Sequence, residues 1–558
     1  MPSVFRREKR NGNEEKPLMK TIEQTDGEHA SAYSSQQSGV PDLIAVDVEA
    51  SNKRVLNTLR KILSDQSTPE DFEDFSAEVL KTLSKLNDSY SQNRLCEYLQ
   101  EIDQFVERCF PMLPAEGPQG SQVKQIQDFL KSAQSMIYDE VHRLTPALRD
   151  AGLLVHLMDS YSRHLFTKLD LLLNRDLSVK EIFCLLLWGR DVFFSPDSQF
   201  FRVYDPLLLT GWFERATGKL LPKLKNDIST TLQNILCYDE QHGHNEDSMD
   251  EETFIRVHLD VTQCLNAVIQ RSKEFSHMLM CTAQTLCLKQ LHHFVQEYVY
   301  AEKKHLEKQQ HLKKNSMHLF RLISTCRQLR FFAPRLNNPA INNSDDFSNI
   351  ILMLEELEDY VLSIVQKMMK HLAQDFLRRY FKEEGVQIQM LTKAIQQQCA
   401  SLPQNNVGKE IREIFVNVSN DCVSRVYLDC LMKSEFRRLE KRWGNVGERM
   451  RENAVSLHST FTELNGSDDK RNRLLQRMSE ILFCDDVEAL KITCCHLFKD
   501  FPQDSEQYVP GLLRWKKVLS ERQVKEVLNV SRDLCLNPKP RCFTCQPLKG
   551  LCCFLSCE

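Results

Sequence analysis

The chain has 558 residues, 42% hydrophobic and 27% charged, with a formal net charge of −5. This balance is ordinary for a soluble globular protein and too near neutral at this length to argue for bulk nucleic-acid binding, so any basic surface must be local. Only 17 glycines are present, well below the usual share of about 7%, which counts against parallel α/β enzymes with their glycine-rich phosphate loops.

Residues 1–50 are polar, with few large apolar side chains, and are expected to be disordered. They include the basic run FRREKR, with Arg6, Arg7, Lys9 and Arg10. The opening MPSVFRREKRNGNEEK has no apolar core of a signal peptide, so the chain is expected to be cytoplasmic. Its 20 cysteines should then be reduced and act as small buried hydrophobes. No apolar run reaches the length of a membrane span.

Helical periodicity begins near residue 51. NKRVLNTLRKILSDQ puts Val55, Leu56, Leu59, Ile62 and Leu63 on one face, and EDFSAEVLKTLSKL repeats this with Phe75, Val79, Leu83 and Leu86. The proline- and glycine-rich PMLPAEGPQGS (111–121) ends these N-terminal helices, 51–110. A first group of bundles is expected over 121–332. It starts with two helices or one broken helix, the break lying near Pro146. The apolar LSVKEIFCLLLWGRDVFFSPDSQ follows, then DPLLLTGWFERATGKLLPKLKNDISTTLQNIL, read as helix with turns near Gly211 and Pro222. Next come an acidic loop (238–252), a helix from about Thr253 to Ala283, and another through HFVQEYVYAEKKHLEKQQHLKK. RFFAPRLNNPAINNSDD (330–346) reads as a second linker.

C-terminal bundles are expected over 346–535. Ile350, Leu354, Leu357, Val361, Ile364, Met368, Leu372 and Phe376 form one continuous stripe, about 40 Å long at 1.5 Å per residue. Further amphipathic segments fall at about 386–400, 408–442, 446–464, 468–483, 485–500 and 520–535. Sustained period-2 alternation and short tandem repeats are both missing. The fold expected is all-α: long helices in antiparallel bundles, stacked into an elongated rod, with a cysteine-rich tail at 536–558.

Motifs for phosphate loops, nucleophile elbows, zincins and kinases are absent. His292-His293, His242-Gly-His244 and Cys494-Cys495-His496 are local clusters; neighbours on a helix point about 100° apart and rarely share a metal. A non-catalytic protein without a cofactor is expected. SEFRRLEKRWGNVGERMR is more informative. Arg437/Lys441 and Arg438/Arg442 are i,i+4 pairs, able to present a basic stripe to anionic lipid headgroups at about 1 kcal/mol per cation. The bland reading is a solvated face partly neutralised by Glu435, Glu440 and Glu448.

The tail RCFTCQPLKGLCCFLSCE holds Cys542, Cys545, Cys552, Cys553 and Cys557. A zinc site would join Cys542-x2-Cys545 to a second pair across a spacer much shorter than the usual 12–20 or so residues. Prenylation needs a cysteine where Leu555 stands, and myristoylation needs glycine where Pro2 stands. S-acylation asks only for accessible cysteines among apolar residues near a membrane, and Cys552, Cys553 and Cys557 meet that. An idle or protein-docked tail stays open beside it.

Taken together, the long-helix pattern, the stretch LLVHLMDSYSRHLFTKLDLLLNRDLSVKEIFCLLLWGRDVFFSPD and the closing YVPGLLRWKKVLSERQVKEVL resemble the exocyst complex component 3 family, including its exocyst-component-3-like and tumour necrosis factor alpha-induced protein 2 branch. The resemblance runs over roughly 120–530. It implies a rod of stacked helical bundles and a vesicle-tethering or scaffold role in exocytosis, plasma-membrane traffic or protrusion formation. Implied partners are exocyst subunits or SNAREs, a Ral-type small GTPase and an acidic phospholipid surface, with peripheral placement at the plasma membrane. The alternative is a GTPase-effector scaffold outside the exocyst that does not bind lipid. The shorter N-terminal region and the cysteine tail favour the paralogous branch over the core subunit.

Overall fold

The computed structural model describes residues 42–66, 69–84, 89–117, 122–194, 206–242, 251–308, 316–337, 345–383, 385–465 and 473–536. Arg6, Arg7, Lys9, Arg10 and all the tail cysteines, from Cys542 to Cys557, lie outside the described residues, as does most of the expected acidic loop at 238–252.

Among the described residues the regular structure is entirely helical. The chain runs α1 (Asp42–Leu63), α2 (Pro69–Leu83), α3 (Ser89–Cys109), α4 (Val123–Asp150), α5 (Leu154–Leu173), α6 (Val179–Phe193), α7 (Pro206–His242), α8 (Glu251–Phe275) and α9 (His277–Lys308). It continues with α10 (Ser316–Phe332), a 3-10 turn (Ala333–Arg335), α11 (Asp346–Tyr380), α12 (Gln387–Ala400), α13 (Asn406–Lys433) and α14 (Phe436–Trp443). The last helices are α15 (Val446–Asn465), α16 (Leu474–Phe483), α17 (Val487–Asp500), α18 (Pro502–Trp515) and α19 (Glu521–Leu536). The described residues fall into two compact units, one drawn from 1–110 and 136–161, the other from 111–135 and 162–558.

In the first unit Val55, Leu59, Ile62, Leu63, Phe75 and Val79 are buried as expected, Leu56 is half-buried, and Tyr98, Ile102, Leu148 and Leu157 are buried with them. The C-terminus of α1 is capped from a distance. Arg143 donates to the carbonyls of Ile62 at 2.9 Å and Leu63 at 3.0 Å, which the helix itself leaves unpaired.

Several breaks differ from the sequence reading, each for a local reason. The helix expected to break at Pro146 runs through it and stops at Gly152, whose φ of +72° is costly for any side chain. There Leu153 N–H reaches back to Leu148 O at 2.9 Å and Gly152 N–H to Arg149 O at 3.0 Å, closing the last carbonyls of α4. Likewise α7 passes Gly211 and Pro222 without a turn. Trp212, Ala216, Leu220, Leu224, Ile228 and Leu232 recur every fourth residue and bury one stripe, while Pro222 faces solvent. Conversely, the helix expected from Thr253 to Ala283 is interrupted at Ser276. The Ser276 hydroxyl accepts from Leu279 N–H at 3.1 Å and so starts α9.

In the second unit, α11 carries the long stripe with one change. Ile350, Leu354, Leu357, Val361 and Ile364 are buried as expected, but beyond them the buried set is Val365, Met369, Ala373, Leu377 and Tyr380, not Met368, Leu372 and Phe376. At about 100° per residue the inward face moves round by roughly a third of a turn. The cause is a change of neighbours. The first half lies against α9 and α10, with His292 to Asp346 at 2.7 Å and Arg327 to Glu358 at 2.7 Å. The second half meets α13, with Cys422 Sγ to Gln366 O at 3.8 Å and the Phe381 and Tyr427 rings at 5.1 Å. Since Arg327 also reaches Glu410 near the start of α13 at 3.1 Å, α11 and α13 run parallel, and α12 returns the chain between them.

Candidate functional site

The parallel run of α11 and α13 brings both of their C-terminal ends to one place, where α14 lies across them. Ser434 turns the chain out of α13 with extended backbone, φ −88° and ψ 151°. Trp515 of α18 fixes that turn by donating its indole N–H to Ser434 O at 2.6 Å, and the Phe436 ring packs edge-on against it at 5.1 Å. α14 then runs for eight residues with only Leu439 buried, and ends at Gly444, φ +74°.

The far end of α14 is fixed by a second aromatic group. Trp443 lies 5.6 Å from Tyr380 and 5.5 Å from Phe381, at the end of α11. Asn453 of α15 donates to the Tyr380 hydroxyl at 2.7 Å and the Tyr427 hydroxyl at 3.0 Å, satisfying the polar ends of these buried rings. Burial pushes the Tyr427 phenol well up, so it stays protonated.

This geometry sorts the cations of α14. Arg437, Arg438 and Lys441 are exposed. Arg442, expected beside them, turns inward: it is half-buried, donates to Phe381 O at 3.0 Å and lies 5.1 Å over the Trp443 ring. It joins α14 to the end of α11 and does not extend the outer stripe. Arg449 and Arg451 are engaged too, Arg449 with the Tyr380 hydroxyl at 3.2 Å and Arg451 over Phe483 at 5.9 Å. The exposed carboxylates on this segment are Glu435, Glu440 and Glu448.

A second polar constellation was not legible in the sequence. Arg321 of α10 is buried and forms an ion pair with Asp239 of α7, while its other arm lies 3.6 Å from Glu302 of α9. His318 completes the group. Its Nε2 stands 3.1 Å from a Glu302 oxygen, and its Nδ1, 3.2 Å from Arg321, accepts from the guanidinium. Its carboxylates Asp239 and Glu302 line a groove of about 710 Å³ between α7 and α9, together with Glu240, Glu297 and His305. These residues lie far apart in sequence, and only a strongly apolar neighbourhood could have flagged Arg321.

The histidines at 242, 292 and 293 take separate partners, and His244 lies outside the described residues. His292 bonds Asp346, His293 lies 3.3 Å from Glu297, and His242 Nδ1 lies 3.1 Å from Tyr238 O. Among the described residues no group of metal-ligating side chains comes together. The Ser160, His156 and Asp103 side chains do meet, but serine and histidine both turn to the same carboxylate, at 2.5 Å and 3.2 Å. In that order the carboxylate orients both groups and the imidazole is not placed to take the serine proton.

No family model matches this sequence, and no curated protein matches it. The structure is similar to a crystal structure of M-Sec, with a TM-score of 0.63 at 15% identity, over 87% of this chain and 88% of that one. At that identity the likeness is one of fold. It runs over most of both chains and gives this protein the same helical fold.

Proposed function

We propose that this protein is a non-catalytic tether or scaffold of the exocyst component 3 type, acting in exocytosis, plasma-membrane traffic or protrusion formation. The observation that carries this reading is the nearly full-length likeness to M-Sec. A tether needs a stiff helical frame and faces for partners, and no reacting group. Long helices with buried stripes, such as α7 and α11, fit that demand.

Membrane contact on this reading is peripheral, since among the described residues no helix is long and apolar enough to cross a bilayer. The lipid-facing cations are Arg437, Arg438 and Lys441 on α14, with Arg6, Arg7, Lys9 and Arg10 as a second basic segment. S-acylation at Cys552, Cys553 and Cys557 supplies the further anchor that stable attachment needs. Partners on this reading are exocyst subunits or SNAREs and a Ral-type small GTPase.

Gentle affinity purification of the tagged full-length protein from cells tests the assignment. Recovery of the exocyst subunits together is the expected result for a role inside the complex. A Ral-type GTPase recovered without them assigns the chain to a separate scaffold. Recovery of neither overturns the proposal.

A further inference from the structure

Many surface arginines of the second unit are held by carboxylates. Arg330 contacts Glu355 at 3.0 Å, Arg425 contacts Asp504 at 2.8 Å, and Arg514 contacts Glu521 at 2.9 Å. The end where α14 crosses α11 and α13 is different. Arg378 and Arg379 close α11, Lys382 follows, and Lys433 ends α13; all are exposed, as are Arg437, Arg438 and Lys441. Among the described residues no ion pair holds any of them.

The contacts already given make these cations neighbours. Arg442 bonds the Phe381 carbonyl and Trp443 packs on Tyr380 and Phe381, so α14 meets α11 directly beside Arg379 and Lys382. Arg378 and Lys433 flank Cys430: burial pushes that thiol up, and both cations act against it. Cations in the last turn of a helix are ordinary, because they face the negative end of the dipole. That accounts for Arg378 and Arg379 singly, but not for unpaired cations gathered from two helix ends and a crossing helix. On α14 alone the exposed cations stand against Glu435 and Glu440, too weak a balance to hold an anionic surface. The ends of α11 and α13 add four exposed cations against the exposed Asp375 and Glu383 and the half-buried Asp429, so the combined surface stays net positive.

We infer that the membrane-facing surface is a composite platform in which Arg378, Arg379 and Lys382 at the end of α11, with Lys433, act beside Arg437, Arg438 and Lys441 to bind an anionic bilayer. This rests on the membrane reading above and adds basic residues of α11 that the sequence does not bring beside α14. Trp443 is a positioning residue: it touches no lipid and holds α14 against α11.

The test is co-sedimentation of the purified full-length chain with vesicles of phosphatidylcholine and phosphatidylserine at about 0.1 M salt, where surface charges are felt over about 10 Å. The triple variant R378Q/R379Q/K382Q is expected to lower partitioning by on the order of 100-fold, as is R437Q/R438Q/K441Q. Both should melt as the parent does, because every substituted side chain is exposed. Trp443→Ala should weaken binding and Trp443→Phe restore it. If the α11 variant sediments like the parent while the α14 variant is lost, the composite platform is overturned and the membrane reading stands. If the parent itself does not sediment, both fall and the lipid-free GTPase-effector reading takes their place. Should the triple α11 variant misfold, Arg379→Glu alone gives the same comparison.

Discussion

At the residue scale the sharpest consequences come from buried polar groups. Arg321 is shared by Asp239 and Glu302. Burial disfavours its charge, yet the two carboxylates hold it protonated, and its pKa lies above that of a free arginine. Arg321→Met is expected to destabilise the fold by about 3–5 kcal/mol in denaturant unfolding, because the carboxylates stay buried without the guanidinium they share. His258 of α8 has the opposite character. It is buried, its Nδ1 has no hydrogen-bond partner among the described residues, and desolvation lowers it to about 4 from 6.5. The folded state therefore keeps His258 neutral while the unfolded chain takes up a proton. Stability is full above pH 6.5 and is lost as pH falls towards 4, by up to about 3 kcal/mol. His258→Leu should flatten that part of the stability–pH curve. Gly408 shows a steric constraint: a Cβ there would meet Pro403 O at 2.0 Å. Gly408→Ala should cost about 1–3 kcal/mol, read as a lowered melting temperature. The roles of Arg321 and His258 do not show in local sequence, since each depends on what other helices place beside the residue, whereas Gly408 is constrained by Pro403 in the loop just before its own helix.

At the element scale, helices were legible and their ends only partly so. The capping box of α6 is readable as Ser178 followed three residues later by Glu181. The structure adds a further bond: Glu181 also accepts from Gln122 N–H at 3.0 Å, ahead of α4, as well as from Ser178 N–H at 2.7 Å. Ser178→Ala should therefore cost about 1 kcal/mol, and Glu181→Ala more, since it leaves buried donors at two places unpaired. Thermal melts of the two variants decide the order. Pro146, Pro222 and Gly211 misled because a long buried stripe outweighs the loss of one backbone bond per proline. Arg442 misled for a related reason. Its spacing from Arg438 is right for an outer stripe, but the Trp443 ring and the Phe381 carbonyl draw it inward.

At the scale of the whole molecule, the proposed role makes membrane attachment depend on two separable features. If residues 552–557 are acylated, replacing Cys552, Cys553 and Cys557 by serine should shift the protein from the membrane to the soluble fraction of cells. The same variant should leave vesicle binding by unmodified recombinant protein unchanged. Equal fractionation of the variant and the parent would remove the tail from the mechanism.

The sequence alone determined that the chain is helical, because apolar spacing of three and four residues, scarce glycine and the lack of period-2 alternation are local properties. It also marked α14 as basic, since its cations are adjacent in the chain. It could not show that α11 ends against α14, that its buried face shifts where α13 replaces α9 and α10, or that Asp239, Glu302, His318 and Arg321 meet. Those are consequences of packing between helices distant in sequence, and hydrophobic burial is non-directional until neighbouring helices fix which face turns inward.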